Sequence, residues 1–571
     1  MGACSNMIVG IDLGTTHSLV GAFIDGQSRL FANAHGHVLT PSAVSVGDDG
    51  TLLIGRPALD RVISHPDASV ASFKRWMGTR RETRLGKRAY LPEELSALVI
   101  RSLLDDVEAA CGSRPDEAVI SVPAYFSDAQ RRATRRAGEL AGVRVERLIN
   151  EPTAAALAYG LAERLDDAHV LVLDLGGGTF DVSILELFDG VVKVHASAGD
   201  NFLGGDDFTH ALRDHVLASH KVDAESLSAA ERAMLWMRAE HAKRELSNGR
   251  AARIALSLAG HDVATDLDES QFEALVAPLI QRLRTPIERA MRDAGLRGAD
   301  LAEVVMVGGA SRMPLLSRIA ARLLGRLPLR HVAPDEAVAQ GACVAAALKA
   351  RDAAFEEIVL TDVCPHSLGV EISMNLGPGQ RSDGHFDPII ERNSTVPVSR
   401  MREYFPVHPQ QTQVTLGVYQ GEHPRADQNI ALGQLEIPVP PGPPDERGID
   451  VRFTYDINGV LQVEATVQKS GIRRELLLIQ DGSDLTEAEA KKRLDELAAL
   501  KVHPREEQPN IAAVARVERL YAESLGDMRA QLQHWLVQFQ SVLATQDRAQ
   551  IDEHRTALLS ALDGLEAGPL A

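Results

Sequence analysis

Two glycine-rich turns, each with an aspartate at its mouth, carry the residues of this chain best suited to chemistry. The first is Ile11-Asp12-Leu13-Gly14-Thr15-Thr16. The second is Leu173-Asp174-Leu175-Gly176-Gly177-Gly178-Thr179-Phe180-Asp181. Glycines let backbone N–H groups approach a phosphate, and threonine hydroxyls add donors. Aspartates supply hard oxygens for Mg²⁺ or its water shell. Aspartates are also common in ordinary turns, but here the same setting occurs twice. Two such loops facing each other would grip a nucleotide's phosphates from both sides.

The elements that must position these turns are short strands. Met7 to Ile11 and Val170 to Leu173 are apolar runs that end at the aspartates, and each turn is followed by a further apolar, β-branched run. From Met7 to about Ala354 strands alternate with helices, the mark of an α/β region. Val119 to Val122 reads as a buried strand ending at Pro123. Asp128 reads as the N-cap of a helix to about Ala141, closed by Gly142. Glu303 to Val307 is a strand that stops at Gly308-Gly309, and Asp335 to Leu348 is Ala-rich and helical.

After Arg351 the character changes. Glu356 to Asp362 is a short apolar strip between charges. Beyond it Val414–Tyr419, Val451–Tyr455 and Val460–Val467 alternate as strands, with an Asn458-Gly459 hairpin turn and a proline-rich loop from Pro438 to Pro444. This stretch predicts an antiparallel β domain. Near Asp484 the chain turns helical. Thr486 with Glu489 reads as a capping box, and Leu494, Leu497 and Leu500 form an apolar stripe. Further helical runs cover Ile511 to Leu543 and about Gln550 to Leu562.

Composition bounds the function. A chain of 571 residues is long enough for about four domain-sized units. A net charge of −19 argues against a nucleic-acid partner, and 4% aromatics argue against a stacking platform for single strands. Cys4, Cys111, Cys343 and Cys364 lie far apart without metal-ligand spacing, as isolated reduced thiols of a cytoplasmic protein do. No apolar run is long enough to span a bilayer. Met1 to Asn6 misses a myristoylation signal at Asn6 and has no signal-peptide core, so it reads as a disordered start.

With these residues in place, the chain resembles the DnaK-type 70-kDa heat-shock chaperones from Met7 to near its end, and most closely their compact HscC branch. The two aspartate turns, Val122-Pro123-Ala124-Tyr125-Phe126, Asn150-Glu151-Pro152-Thr153-Ala154-Ala155-Ala156 and Val307-Gly308-Gly309-Ala310-Ser311-Arg312-Met313-Pro314 follow in the family's order. The resemblance implies an α/β actin-like ATPase domain (7–354), an interdomain linker (355–362), an antiparallel β-sandwich peptide-binding domain (363–483) and a short α-helical lid (484–571). The repeated aspartate turns then reflect an internal duplication of the ATPase fold.

The same resemblance implies the site. Lys74 would be the catalytic lysine, although a Lys-Arg pair is by composition ordinary surface. Asp12, Asp174 and Glu151 would hold Mg²⁺ mainly through water, and Asp181 with Thr179 would flank the reacting phosphate. Gly14, Thr15, Thr16, Gly176, Gly177, Gly178, Gly204 and Gly205 would cradle ATP or ADP, with K⁺ as a candidate companion ion. Glu240, Lys243, Arg244 and Ser247 fall on one helical face and match the ribose and adenine contacts. Gly308, Gly309, Arg312 and Asp335 match the rest of the adenosine site.

Coupling is implied for Pro123 and Arg131, for Arg147 and Asn150 toward a J-domain co-chaperone, and for the apolar linker Ile358, Val359, Leu360 with Asp362. Val370, Val414 and Leu416 match peptide-groove positions, with Tyr404 and Val407 arching over them. Strand alternation alone would make Val414 and Leu416 core. The implied protein is a monomer that binds extended hydrophobic peptides and neither nucleic acid nor membrane.

Some positions depart from the family pattern. Thr361 stands where a leucine is usual, Ser373 replaces an apolar groove residue, and Val407 is bulkier than the usual alanine. The stretch from Gly78 to Leu91 is short, which leaves dependence on a nucleotide-exchange factor open. The lid is short and lacks a long tail. An actin-like small-molecule kinase and an actin-like structural protein are the competing readings, and both predict no β domain after Arg351.

Overall fold

The computed structural model describes residues 7–47, 49–165, 167–188, 190–329, 332–350, 359–377, 380–456, 459–478, 508–524 and 526–567. The expectations for Met1 to Asn6, for Ile358, for Asn458, and for the capping box and leucine stripe between Thr486 and Leu500 lie outside these residues. The chain divides into two compact units. Of the described residues, one unit runs to His366 and takes in Arg392–Val396; the other comprises Ser367–Glu391, the chain from Pro397 to Leu478 and the helical segments from Gln508.

The first unit is built on two sheets of matching design. In one, Ile8–Asp12 lies parallel to Glu117–Val122, which lies parallel to Arg144–Asn150; on its other side His17–Ile24 and Gln27–Leu30 run antiparallel. In the other, Ala168–Leu175 is parallel to Leu301–Val307, with Phe180–Phe188 and Val191–Asp200 antiparallel on the far side. The short strand Val359–Thr361 adds in parallel to the outer edge at Val191–Lys193. Asp12 is the last residue of its strand and Asp174 the last but one of its own, and each strand turns directly into its antiparallel neighbour.

The apolar strand residues sort by alternation into three cores. Val119, Val170, Val172 and Val305 face a core shared with the helices Glu151–Ala158 and Ala337–Lys349. Ile11, Val20 and Ile120 face a second core with the helix Pro92–Cys111. Leu171, Val182 and Ile184 face a third with Gly205–His220 and Ala229–Asn248.

The two central helices cross at bare backbone. A Cβ on Gly341 would fall 1.7 Å from the Ala154 carbonyl oxygen, and one on Gly10 2.4 Å from Ala342. Small residues here let the helix that begins at Glu151 lie deep enough to bring that carboxylate between the two sheets.

The helix Asp128–Leu140 is capped by Ser127 rather than Asp128. Ser127 Oγ accepts from Gln130 N, and Gln130 Oε1 accepts from Ser127 N at 2.9 Å. This is a reciprocal capping box one residue earlier than the Asp128 reading, and Gly142 closes the turn at φ +87°. The expected short stretch from Gly78 to Leu91 is closed by a hairpin, Thr83–Leu85 against Arg88–Tyr90 around Gly86.

The second unit holds two four-stranded antiparallel sheets. One is ordered Gln380–Ile390, Leu368–Gly377, Gln413–Gln420, Ile430–Pro438; the other Val398–Tyr404, Ile449–Tyr455, Leu461–Val467, Arg473–Leu478. Among the described residues three helices follow, Gln508–Glu523, Gly526–Thr545 and Arg548–Ala567, packed around Val517, Leu532, Phe539 and Leu562. The run expected from Ile511 to Leu543 is therefore two helices. At the last helical turn Gln546 adopts φ +55°, and its side-chain amide pairs with both backbone groups of Met401 at 2.8 and 3.1 Å.

The helix crossing makes a direct prediction. Gly341→Val should cost about 3 kcal/mol or more, because backbone cannot yield to an inserted side chain. Thermal unfolding measures it, and an unchanged Tm would contradict the close approach.

Candidate functional site

The two aspartate turns meet at a cavity of about 610 Å³ in the first unit. Asp12, Gly14, Thr15 and Thr16 line it from one sheet, and Asp174, Gly176, Gly177 and Thr179 from the other. Lys74 and Glu151 complete this wall. Glu240, Lys243, Arg244 and Ser247 line it from the helix Ala229–Asn248, together with Gly205, Gly308, Gly309, Arg312 and Asp335. Asp181, Gly178 and Gly204 stand behind the lining.

Acidic side chains crowd the wall where the sheets meet. Cross-strand pairing sets Asp174 directly opposite Asp181, whereas Asp12 faces Leu19 in the other sheet. Lys74 Nζ lies 3.3 Å from Glu151 Oε1, with side-chain exposures of 4% and 9%. Ser121 Oγ donates to Asp12 at 2.7 Å, and Tyr125 N donates to Asp181 Oδ1 at 2.8 Å. Oδ2 of Asp174 and Oδ2 of Asp181 are buried without a protein partner.

Burial and neighbouring carboxylates push the acids up. Asp12 rises to about 6, through burial and then Glu151, against Lys74 and Ser121. Asp181 rises to about 7, through burial and then Glu151, against the Tyr125 N–H, Lys74 and Arg131. Asp174 lies well above the usual carboxylate range, through burial and then repulsion from Glu151, Asp181 and Asp12. One lysine does not balance this group.

The glycines make room for the approach of the loops. A Cβ on Gly177 would lie 2.3 Å from Thr16, and one on Gly204 2.4 Å from Gly178 N. Gly308 sits at φ +84°, with a Cβ position 2.4 Å from the Leu175 carbonyl. Gly205 N and Asp206 N donate to the carbonyls of Gly176 and Gly177, both at 2.9 Å, and fasten the second turn to the start of the helix Gly205–His220.

On the opposite wall the expected helical face is held by its own network. Lys243 Nζ reaches Glu240 Oε2 at 2.6 Å and donates to Gly205 O and Thr209 Oγ1 at 2.8 and 2.9 Å. Arg244 pairs with the other Glu240 oxygen at 2.8 Å and is largely exposed. Arg312 pairs with Asp335 at 2.5 Å.

Several cleft residues escaped the sequence reading. Arg75 Nη2 bridges to Asp207 at 2.5 Å and donates to Gly177 O at 3.3 Å, and Ser72 Oγ donates to Asp206 at 2.8 Å. These contacts tie the Lys74 segment to the second glycine turn and the start of the helix Gly205–His220. Only the neighbourhood of Lys74 hinted at them, since partners more than a hundred residues apart leave no local pattern.

A polar cluster leads from Asp181 toward the chain's exit from this unit. Tyr125 follows Pro123 and packs its ring 4.3 Å from that of His366. Arg131 Nη2 donates to Ala124 O at 3.0 Å and to Asn150 Oδ1 at 2.7 Å. Asn150 Nδ2 donates in turn to Asp362 Oδ1 at 2.9 Å, and Thr153 Oγ1 adds a bond at 3.3 Å. Arg147, half-buried, pairs in register with Val119 on the same strand as Asn150. Val359, Leu360 and Thr361 carry the backbone pairing to Val191–Lys193 that precedes Asp362.

In the second unit Val370 and Leu416 are buried in the sheet core, while Val414 is half-buried. Tyr404 ends the strand Val398–Tyr404 and donates its hydroxyl to Asp387 at 2.7 Å. Val407, in the turn beyond, is exposed, as are Met374 and Phe405.

The Hsp70 protein family model matches residues 8–88 and 80–566. The chain belongs to the Hsp70 family. The chaperone protein DnaK of Thermotoga neapolitana is 41% identical over 505 residues, covering 86% of this chain and 83% of that protein. The DnaK proteins of Thermotoga petrophila and Thermotoga maritima match at the same identity and coverage. These relatives carry the DnaK name; the HscC branch expected above rests on the sequence pattern alone. As an Hsp70 the protein is a molecular chaperone and an ATPase, and the family works with ATP or ADP and Mg²⁺. Among the described residues no helix is long and apolar enough to cross a membrane.

The residues present fit those ligands. Orphaned oxygens on Asp174 and Asp181 suit a cation or its waters, and at Gly14, Gly177, Gly178 and Gly204 a side chain would clash with the surrounding loops. A raised carboxylate pKa also fixes the sign of a pH effect. Between about pH 4 and pH 7 the folded Asp181 retains a proton that the unfolded chain has lost, so stability falls as pH rises through this window. We predict that Asp181→Asn raises the stability of the ligand-free protein at pH 8, by up to about 4 kcal/mol, and flattens its pH dependence. Thermal melts at pH 5 and pH 8 test this; a variant no more stable at pH 8 would contradict it.

Proposed function

We propose that the chain uses ATP hydrolysis in this cleft to drive capture and release of extended hydrophobic segments of unfolded proteins, stimulated by a J-domain co-chaperone. The observation that carries the reading is the buried Lys74–Glu151 pair on the cleft wall beside Asp12 and Asp174, with Asp181 directly behind. Phosphoryl transfer to water needs little covalent help and is mainly a matter of position and charge.

In this reading, backbone N–H groups of both turns and the hydroxyls of Thr15, Thr16 and Thr179 hold the phosphates. Asp12, Asp174 and Glu151 hold Mg²⁺ largely through water; once bound, Mg²⁺ neutralises charge on the phosphate oxygens. Lys74 offsets the negative charge that grows on the transferred group. Asp181, with Oδ1 fixed by Tyr125 N and Oδ2 free, orients the attacking water. Gly308, Gly309 and Arg312 receive adenine, Arg312 leaving Asp335 to stack on the base, and Glu240, Lys243, Arg244 and Ser247 hold the ribose side. K⁺ is assigned to the phosphate region as a companion ion.

The functional partition is an actin-like ATPase domain at 7–354, a linker at 355–362, a β-sandwich peptide-binding domain at 363–483 and a helical lid at 484–571. Support for a coupling role comes from the linker strand Val359–Thr361 on the sheet edge and from Asp362 on Asn150 and Thr153. Pro123 and Arg131 relay the state of the phosphate site, and Arg147 with Asn150 serves the J-domain partner. Extended peptide lies over Val370, Val414 and Leu416 beneath Tyr404 and Val407. The protein acts as a cytoplasmic monomer, and its short Gly78–Leu91 hairpin lessens the surface for an exchange factor.

ATP turnover with and without an apolar peptide tests the whole reading: stimulation is expected, and a peptide-blind turnover would refute the coupling. Lys74→Ala should leave ATP binding within a few-fold and cut single-turnover hydrolysis by about 100-fold or more. Unchanged hydrolysis would remove Lys74 from the mechanism. Val414→Phe should fill the groove and weaken affinity for an apolar peptide by about tenfold or more, while basal hydrolysis stays intact. Undiminished affinity would place the groove elsewhere.

A further inference from the structure

At the opposite end of the strand Ala168–Leu175 from Asp174, three side chains of metal-ligating type share one face of the second sheet. They are His169, Glu186 and His195, each from a different strand. His169 pairs across the ladder with Glu186, and Glu186 with Lys193. A β-bulge matches Ile184 to Ala196 but Leu185 to Val194, so His195 is the extra residue. A bulge re-aims its side chain, and this one turns His195 onto the face of Glu186, with Nδ1 3.6 Å from Glu186 Oε2. The two imidazoles stand edge-on, 5.8 Å between centres at 89°.

We infer that His169, Glu186 and His195 bind a borderline divalent ion of the Zn²⁺ class, with a fourth position open to solvent. One nitrogen from each histidine and one Glu186 oxygen lie within 4.8 Å of one another. Tetrahedral zinc with bonds of about 2.0–2.1 Å needs its ligands about 3.3 Å apart. Small side-chain rotations close that gap, and all three residues are half-buried and retain room to rotate. Two imidazoles with one carboxylate select Zn²⁺ over Mg²⁺, which prefers oxygen ligands in an octahedron.

An ordinary ion-pair cluster is the competing account, and Lys193 embodies it. Its ammonium lies 2.9 Å from Glu186 Oε2 and must leave that oxygen for an ion to bind. Lys193 therefore competes with the metal, and its removal separates the two accounts. Lys193 also pairs in register with Thr361, so the site adjoins the linker strand without depending on any role assigned to it.

The test uses the untagged full chain at pH 7.5 in excess Mg²⁺, which occupies the carboxylates of the cleft. Zn²⁺ is titrated against a chromophoric chelator, and Co²⁺ is added separately for its absorption spectrum. We expect His169→Gln and His195→Gln each to weaken Zn²⁺ binding by about tenfold or more and to abolish the tetrahedral Co²⁺ bands. Lys193→Met, which keeps every ligand, should tighten binding by at least about threefold. Melts in EDTA and basal ATP turnover verify that the variants fold. Equal Zn²⁺ affinity in the wild type and in the His169→Gln/His195→Gln double variant would overturn the inference. So would weaker binding by Lys193→Met.

Discussion

The first unit is organised around an electrostatic debt. Asp12, Glu151, Asp174 and Asp181 converge where the two sheets meet, and among the described residues Lys74 is the one cation in direct contact with them. Burial alone raises the pKa of the aspartates, and their mutual repulsion adds to it. No folding requirement explains such a group, since apolar residues in the same places would be more stable. The arrangement makes sense when charge of the opposite sign arrives with the ligand. The glycines, the close helix crossing at Gly341 and the cross-lobe bonds from Ser72 and Arg75 all serve to hold these carboxylates in place.

Duplication supplies the architecture and the register supplies the asymmetry. Both sheets carry, at the end of their first strand, an aspartate with a glycine two residues on. In the second, antiparallel pairing sets Asp181 against Asp174; in the first, the same geometry sets Leu19 against Asp12. Asp12 instead takes a hydrogen bond from Ser121 on the neighbouring parallel strand. One turn is therefore a clamp with a single acid, and the other carries a pair whose second oxygens are free. The repeat is thus structural, while the paired acids with free oxygens stand on one copy alone.

Much of this was legible because local pattern and chemistry coincide. Apolar runs ending at Asp12 and Asp174 gave away two strands, and the spacing of Glu240, Lys243, Arg244 and Ser247 placed them on one face of a helix, where they line the cavity. What stayed hidden depends on distant pairing or on a shift of one residue. Arg75 with Asp207, and Ser121 with Asp12, join segments more than a hundred residues apart. Ser127 and Asp128 are both good caps, and only backbone geometry chose between them. What reads as one helix is two, Gln508–Glu523 and Gly526–Thr545, and no proline announces the end of the first. His169, Glu186 and His195 are scattered in sequence and met only after a bulge rephased a strand.

The same register logic explains how the acidic wall of the cleft connects to the chain's exit from the first unit. Asp181 fixes the backbone N–H of Tyr125, and the Tyr125 carbonyl is in turn within 3.2 Å of His366 Nε2. Arg131 grips Ala124 O two residues after Val122 and passes to Asn150, which holds Asp362. The segment after Pro123 is thereby pinned on one side by the carboxylate of Asp181 and on the other by residues next to the strand Val359–Thr361. A change in the charge of Asp181 alters the strength of the Tyr125 bond, because an ionised acceptor holds an N–H about twice as strongly as a neutral one. That difference is carried by a single backbone group, so it can bias where Tyr125 and His366 sit without remodelling either sheet. In the coupling proposed above, such a contact acts as a shift between two arrangements rather than as a signal along a wire. Its size is bounded by the few polar contacts that the two arrangements do not share.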